Sequence, residues 1–599
     1  MCAMRIGDVE RLTGLSRKTI RLYEEKGLLS VVRSENSYRE YDDAIVAKLR
    51  TIAVLRRAGV PLMDIQLWQD GVISAEEMLQ KQISALKNTA DQTVGQKRLC
   101  MKLLEYAGDG TLCIPTELLA MDDDTDGTEA ASETEEAASE VLSFTDQPCS
   151  VGIDIGTTTV CAYVLRLSDG VPVGIYNIRN ASDLPAQFAG DKRQDAALLY
   201  DRVHRLIDAL LRRYPTICTI GFTGQMHGIL CTDEAGQALT PLFTWQDQRA
   251  GLGEESAVAA IARLTGCRVA AGYGLATVYA LLCKGELPAR TVRICTVMDY
   301  VAARLCGVSV SIMHTTNAAS LGLFDRQNSA FDKSALAALG IRPEILPDVT
   351  DAPAVIGCFR GIPVTVPIGD NQASFLGAMR NPGTSALANF GTGSQISMLA
   401  DSSVRMKDGG AVEIRPFLEG KCLLSGSALC GGRAYAMLEQ FFRAYAVASG
   451  QEDKEQYAVL NRLAAESLDT DQIGGALRVK TTFCGTRDNP EETGAVLGIK
   501  EELFTPGALA AGVLRGMAEE LYSMYETMPH GHIKELIASG NAIRRNPVLR
   551  RALSEVFGVP VLVPIEQEEA AFGAAMIAAV GAGFAESTAA LSEWVRYRA

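Results

Sequence analysis

From residue 5 to 28 apolar positions recur at helical spacing in two short stretches separated by Thr13-Gly14-Leu15, with Ser16 placed to cap the second, Arg17-Lys18-Thr19-Ile20-Arg21-Leu22-Tyr23. Beyond Gly27-Leu28-Leu29 a polar turn, Arg33 to Tyr41, lies between short extended pieces, followed by a helical run from Asp42 to Ala58 and another after Pro61. That order predicts a helix-turn-helix, a wing and two further helices within residues 1–75. From Met78 to Leu104 the positions 79, 83, 86, 90, 93, 97, 100 and 104 alternate spacings of four and three, holding Leu79, Ile83, Leu86, Ala90, Thr93, Lys97, Cys100 and Leu104. The spacing predicts a coiled-coil seam within 76–120, weaker in its second half; the alternative is a helix packed on its own domain. Residues 121–148 carry few large apolar groups and predict a solvated, disordered linker. From 149 onward strand-like apolar runs alternate with longer amphipathic helices, an α/β pattern. The longest apolar run, Ala570 to Ala585, is too short to span a membrane and predicts a closely packed core helix.

Two turns in the α/β part suit phosphate. Val151-Gly-Ile-Asp-Ile-Gly-Thr-Thr-Thr-Val160 is a buried-strand pattern that breaks at Asp154-Ile155-Gly156 and delivers Thr157, Thr158 and Thr159 into a tight turn, with a second strand pattern from Val160 to Leu165. Gly156 allows close backbone approach to a phosphate that N–H and hydroxyl groups can hold. A second such turn stands at Asn389-Phe390-Gly391-Thr392-Gly393-Ser394, and the pair suggests two lobes facing one nucleotide. Phosphoryl transfer also needs a metal partner and a base near the acceptor hydroxyl. Asp154, at a strand end, is placed to hold hydrated Mg²⁺; Asp370, where the buried run Val364 to Gly369 ends in Asn371-Gln372, is the candidate base.

Composition adds an asymmetry. The 599 residues carry a formal charge of −15, which argues against bulk affinity for nucleic acid or anionic membranes. Ten acids and no Lys or Arg stand in 121–148, whereas within 16–39 six basic residues face three acids, so the head's sign is opposite to the chain's. Fifteen cysteines without C-x-x-C spacing and only five histidines favour neither a zinc site nor a disulfide framework, and fit a reduced cytoplasm.

The ordered set Asp154-Ile-Gly-Thr-Thr, Gly224-Gln-Met-His-Gly, Thr244-Trp-Gln-Asp-Gln-Arg249, Gly369-Asp-Asn-Gln372, Gly391-Thr-Gly393 and Ser539-Gly-Asn541 resembles the FGGY carbohydrate kinases over about residues 149–585. Within them, Ala271-Gly-Tyr-Gly-Leu-Ala-Thr277, Met298 to Gly307, Thr316-Asn-Ala-Ala-Ser-Leu-Gly322 and Asn541 to Arg550 look most like sedoheptulokinases. The resemblance implies a two-lobed, actin- and hexokinase-like (ribonuclease H-like) fold, with a sugar-binding lobe over 149–380, an ATP-binding lobe over 381–599, and sugar and ATP in the cleft. It implies Asp370 as base toward a sugar's primary hydroxyl, and Gln225, Met226, His227, Trp245, Asp247, Arg249 and Asn371 around the sugar. Asp154, Gly156, Thr157, Thr158 and Thr159 then face phosphate, with Mg²⁺ held by Asp154 through water; Gly391, Thr392 and Gly393 take the opposite side, and Gly540 and Asn541 lie near the adenosine. Two departures stand out: the adenosine turn reads Ser539-Gly540 where many relatives have two glycines, and the lysine common in the segment matching Ala276 to Ala280 is absent.

The front of the chain, with Arg5-Ile-Gly-Asp-Val, Thr19-Ile-Arg-Leu-Tyr-Glu-Glu-Lys-Gly-Leu28, Asn36-Ser-Tyr-Arg-Glu-Tyr41 and Leu55-Arg-Arg-Ala-Gly-Val60, is similar to MerR-type winged helix-turn-helix regulators. That likeness implies a homodimer through the coiled coil and an operator held by Arg17, Lys18, Arg21, Tyr38 and Arg39. The expected whole is a cytoplasmic ATP-dependent ketose kinase fused to a DNA-binding regulator; the competing expectation is a sugar-sensing regulator whose kinase-like part has little catalysis.

Overall fold

The computed structural model describes residues 4–29, 31–33, 39–86, 94–108, 111, 112, 114, 146–253, 255–406, 411–469, 477–486, 489, 491–529 and 531–598. The chain forms two compact units: Met1–Ser150 with Thr158–Asp183 and Asp195–Cys218, and Val151–Thr157 with Leu184–Gln194 and Thr219–Ala599.

The first unit opens with α1 (Ile6–Thr13) and α2 (Arg17–Glu25). Ser16 caps α2 as expected, its hydroxyl accepting from Thr19 N at 3.1 Å, and α1 ends in a left-handed Gly14 that turns the chain. The wing is the antiparallel pair β1 (Val32–Arg33) and β2 (Arg39–Glu40); α3 (Asp43–Arg57) and α4 (Leu62–Gln69) complete the head. The seam takes a different form from the one its spacing predicts. Two helices, α5 (Ala75–Leu86) and α6 (Val94–Leu104), pack against each other, which one continuous helix cannot do; residues 87–93, with Ala90 and Thr93, lie outside the described residues. Leu79, Leu86 and Cys100 are buried, and the Cys100 thiol donates to Ala58 O within the head. Cys100 of the seam thus packs within its own chain. The expected acidic linker lies almost wholly outside the described residues.

The same unit contains the hairpin β4 (Thr159–Arg166) and β5 (Pro172–Arg179), which follows β3 (Cys149–Ile155), and the amphipathic helix α7 (Ala196–Arg213), capped by Asp195.

In the second unit β8 (Ile362–Thr365) runs parallel to β6 (Ile217–Gly224) and antiparallel to β7 (Val355–Phe359). Between β6 and β7 lie α8 (Gly274–Cys283) and the short α9 (Thr315–Ser320); α10 (Asp370–Ala378) follows β8. A seven-stranded sheet then forms from β9 (Ser385–Phe390), β10 (Ser394–Asp401), β11 (Val412–Pro416), β12 (Lys421–Ala428), β13 (Glu535–Ser539), β14 (Val561–Pro564) and β15 (Tyr597–Arg598), in the order β11-β12-β10-β9-β13-β14-β15. The apolar run near the end is α13 (Glu569–Gly581), reached after α11 (Gly432–Ala448) and α12 (Pro506–Thr527), and it is the core helix that its composition predicts. Its backbone lies so close to its neighbours that a Cβ on Gly152 would stand 2.0 Å from Ala571 O, one on Gly221 2.3 Å from Ala574 O, and one on Gly573 2.0 Å from Ala373 O. Glycine at these positions lets α13 touch the strand of Asp154 and the helix of Asp370 at once. Among the described residues no helix is long and apolar enough to cross a membrane.

Candidate active site

Asp370 is the first residue of α10, with Gly369 as the N-cap. Asp370 is half-buried, and the crowding of its carboxyl by protein pushes its pKa up to about 6 against the pull of Asn371 N–H, which donates to Oδ1 at 2.7 Å, and of nearby Arg415. Asp154, one residue from the end of β3, is raised further, to about 7, by burial and then by the charges of Asp370 and Glu568. Three elements thus bring carboxylates to one place: the strand carrying Asp154, the start of α10, and the turn before α13. Among the described residues no group of three or more His, Cys, Asp or Glu side chains is poised to grip a metal ion directly.

The loop leading to Asp370 is braced from α9. Gly369 N donates to Thr316 Oγ1 at 3.0 Å and Asn317 Nδ2 donates to Pro367 O at 3.1 Å. Thr316 N donates to His314 Nδ1, and burial holds His314 neutral, its pKa down to about 4. Asn371 Oδ1, beside the base, is buried without a hydrogen-bond partner among the described residues. A buried acceptor left unmatched in this way awaits a donor from a ligand or water.

The residues expected around a sugar do gather. Gln225 N donates to Ile155 O at 3.0 Å, and Gln225 Nε2 to Gln194 Oε1 at 2.9 Å; Gln194 Nε2 donates in turn to Thr157 O at 2.8 Å. Trp245 Nε1 donates to Thr157 Oγ1 at 3.1 Å while the indole stays 47% exposed, leaving a ring face open. Met226 packs at Gly369, where an added Cβ would stand 2.6 Å from its Sδ. His227 holds a left-handed backbone (φ 70°), with its N–H on Ser320 Oγ, its Nδ1 on Ser320 O at 2.7 Å and its ring stacked on Tyr273 at 4.6 Å. That strain is maintained by contacts from two other segments. Gly272 and Gly274 explain the Gly-Tyr-Gly sequence: a Cβ would strike Trp245 O at 1.7 Å or Ile229 Cγ2 at 2.2 Å.

Asp247 and Arg249 spend their polar groups on each other and on neighbouring protein. Asp247 is fully buried, and its oxygens accept from Lys192 N, Arg249 N and the Arg249 guanidinium. That guanidinium also bonds Asp191 and lies 4.1 Å from the Phe243 ring centroid.

Of the residues expected to meet nucleotide, Gly391, Thr392 and Gly393 form the turn between β9 and β10 and are largely open. Gly432 N donates to Gly391 O and Arg433 N to Thr392 O, bringing the start of α11 onto that turn; a Cβ on Gly431 would stand 2.3 Å from Gly393 O. β13 runs parallel to β9 with Ser539 opposite Asn389, so Gly540 and exposed Asn541 emerge beside the same turn. Gly540 has φ 95°, and a Cβ there would meet Phe390 O at 2.3 Å. Thr157 and Gly156 belong to this unit; Thr158 and Thr159 lie in the first unit with exposed side chains.

Sequence reasoning missed Gln194, Tyr273, Ser320, Arg415 and Glu568. Tyr273 and Ser320 stood inside the quoted resembling stretches and Glu568 just before the apolar helix. Gln194 and Arg415 carried no local signal, because only strand pairing and loop closure bring them in.

In the head, Arg21 is exposed on α2. Arg17 pairs with Glu10 at 2.7 Å and Arg39 with Glu24 at 2.6 Å, so the wing is tied to α2. Lys18 is exposed, and Tyr38 lies outside the described residues.

The chain matches the MerR HTH family regulatory protein model over residues 4–71, and the N- and C-terminal domain models of the FGGY family of carbohydrate kinases over 149–377 and 383–582. It is 28% identical over 473 residues to a sedoheptulokinase of Mus musculus, covering 72% of this chain and 97% of that one. It is 26% identical to a glycerol kinase of Xanthobacter autotrophicus over 72% and 90% of the two chains. In fold it is similar to a ligand-bound xylulose kinase from Lactobacillus acidophilus, with a TM-score of 0.64 at 19% identity over 76% and 93% of the chains. Taken with the α/β fold, these matches show that the chain belongs from residue 149 onward to the FGGY family of carbohydrate kinases and carries a MerR-family helix-turn-helix head.

Proposed function

We propose that the kinase part transfers the γ-phosphoryl group of ATP to a primary hydroxyl of a ketose, with a seven-carbon ketose favoured by its likeness to sedoheptulokinases, and that the head binds operator DNA. The observation that carries the reading is the base site: a carboxylate with a raised pKa at the start of a braced helix, next to the unmatched acceptor of Asn371. Asp370, ionised, takes the hydroxyl proton as that oxygen forms its bond to γ-phosphorus and the bond to the β-bridging oxygen breaks, releasing ADP. Asn371 Oδ1 accepts from a neighbouring sugar hydroxyl. Gln225 and His227 line the sugar, with Met226 and the open face of Trp245 packing against it; Asp247 and Arg249 hold the wall behind.

Gly391, Thr392 and Gly393 take the phosphates together with Gly156, Thr157, Thr158 and Thr159, and Gly540 and Asn541 the adenosine. Mg²⁺ fits as a hydrated ion: a cation beside Asp154 would offset the burial and the neighbouring charges of Asp370 and Glu568 that raise its pKa, and Asp154 would hold the ion through water. Bound there, the cation neutralises charge on the phosphates.

Arg17, Lys18, Arg21, Tyr38 and Arg39 meet DNA, and the protein is a homodimer through its α5 and α6 region, which light scattering returning the mass of two chains will check. A sensor without catalysis has no use for a placed base, which favours the enzyme. Purified protein with ATP, Mg²⁺ and five- to seven-carbon ketoses tests this. ADP release with one of them is expected, falling about 10²- to 10⁴-fold in Asp370→Asn with the sugar KM near that of the parent. No release with any ketose, alongside intact DNA binding, establishes the sensor reading instead.

A further inference from the structure

The head and the helix α5 that follows it are bonded to the kinase-side elements of their own unit at three points. Glu77 on α5 pairs with Arg202 on α7 at 2.7 Å, both side chains nearly buried at 14% and 13% exposure. Arg202 Nε also donates to Arg179 O, and Arg179 N to the same Glu77 carboxylate, so the pair closes over the end of β5. Lys81 Nζ donates to Asn177 O at 3.0 Å while paired with Asp64 at 2.6 Å. Arg213, the last residue of α7 and largely buried, donates through Nη1 to Lys26 O at 2.8 Å. Lys26 is the C-cap of α2, the helix that carries Arg17, Lys18 and Arg21. A desolvated ion pair and a buried guanidinium on a carbonyl fix orientation, because leaving either charge unmatched is costly.

The other end of α7 starts two residues after Gln194, whose amide is shared between Thr157 O and Gln225 Nε2. Asp195, next in sequence, caps α7 through Ala197 N and Leu198 N. An 18-residue helix spans about 27 Å as a stiff rod. Any rearrangement of the Gln225–Gln194 bond as a sugar enters therefore acts on the chain at the root of a helix whose far end holds the head by α2.

We propose that β5 and α7 form a docking surface for the DNA-binding head and that α7 couples the two activities, so that a ketose bound at Gln225 changes the head's affinity for DNA. The coupling rests on the sugar-kinase reading; the docking does not. By linkage, DNA changes the affinity for sugar by the same factor.

The test uses the full chain, Arg202→Ala/Arg213→Ala, and the exchanged pair Glu77→Arg/Arg202→Glu, with a duplex selected by the parent protein from random double-stranded DNA. Amide hydrogen exchange needs no sugar: faster exchange across residues 17–26 and 62–86 in the double alanine variant, reversed toward parent in α5 by the exchanged pair, is expected, and parent-like exchange in the double variant overturns the docking. DNA affinity is then measured with and without the most rapidly phosphorylated ketose and a non-hydrolysable ATP analogue. A change of about five-fold or more in the parent, lost in the double alanine variant while turnover persists, is expected. Equal parent affinities with and without sugar, or an undiminished response in the variant, overturn the coupling. If no ketose is turned over, the kinase reading fails while the exchange measurement still decides the docking.

Discussion

Asp370 and Asp154 make opposite demands on pH. Asp370 works as a base only when ionised, and its pKa is raised to about 6, so kcat/KM is expected to fall with decreasing pH below about 6 along a one-proton limb; a flat profile from pH 5 to 8 removes it from that role. Asp154 is raised from 3.8 to about 7. A carboxyl whose folded pKa exceeds its unfolded one favours folding at low pH, and that contribution is lost as pH rises through the folded value. Asp154→Asn is therefore expected to raise Tm at pH 8 while lowering turnover, with the gain in Tm shrinking toward pH 4; thermal scans at both ends check the sign. At this scale much was legible. Asp370 and Asp154 stand where buried runs end in polar turns, which a sequence displays. Arg249 was not: nothing local shows that Asp247, Asp191 and the Phe243 ring absorb its charge.

Among the elements, α13 shows how close packing is written as composition. Its run of alanine and glycine predicted a buried helix, and the matching glycines at 152 and 221 allow its backbone to reach the strands. Gly152→Ala is expected to cost about 1–3 kcal/mol, because its Cβ meets backbone rather than a side chain that can move, and calorimetry will show the lowered Tm. Thr316→Val tests the brace of the base loop: Gly369 N loses its acceptor, a cost of about 1–3 kcal/mol for a buried donor, and kcat is expected to fall more than the sugar KM changes. The α5–α6 region is where element reasoning departed from the structure. A four-three spacing states that apolar groups share a face; it does not say whether a second chain or the same domain covers that face.

For the whole molecule, two parts of opposite local charge share one chain. DNA affinity is expected to fall about 10⁴-fold between roughly 50 and 200 mM salt for about four phosphate contacts on each of the dimer's two heads, while kinase turnover changes little; titrations at both salts against ADP-release rates check the contrast. The order of the parts was legible from sequence alone, since a helix-turn-helix with a wing, an acidic stretch and two glycine turns are local patterns. So were the carboxylates, because strand-end positions follow from hydrophobic periodicity. Tertiary structure alone decided which of these meet. The register of β9 beside β13 sets the Gly391 and Gly540 turns side by side, α9 braces Asp370 from 53 residues away, and Arg202 and Arg213 reach back to Glu77 and Lys26. Local propensity is written in neighbouring residues, whereas such contacts arise from which surfaces find each other when the chain closes.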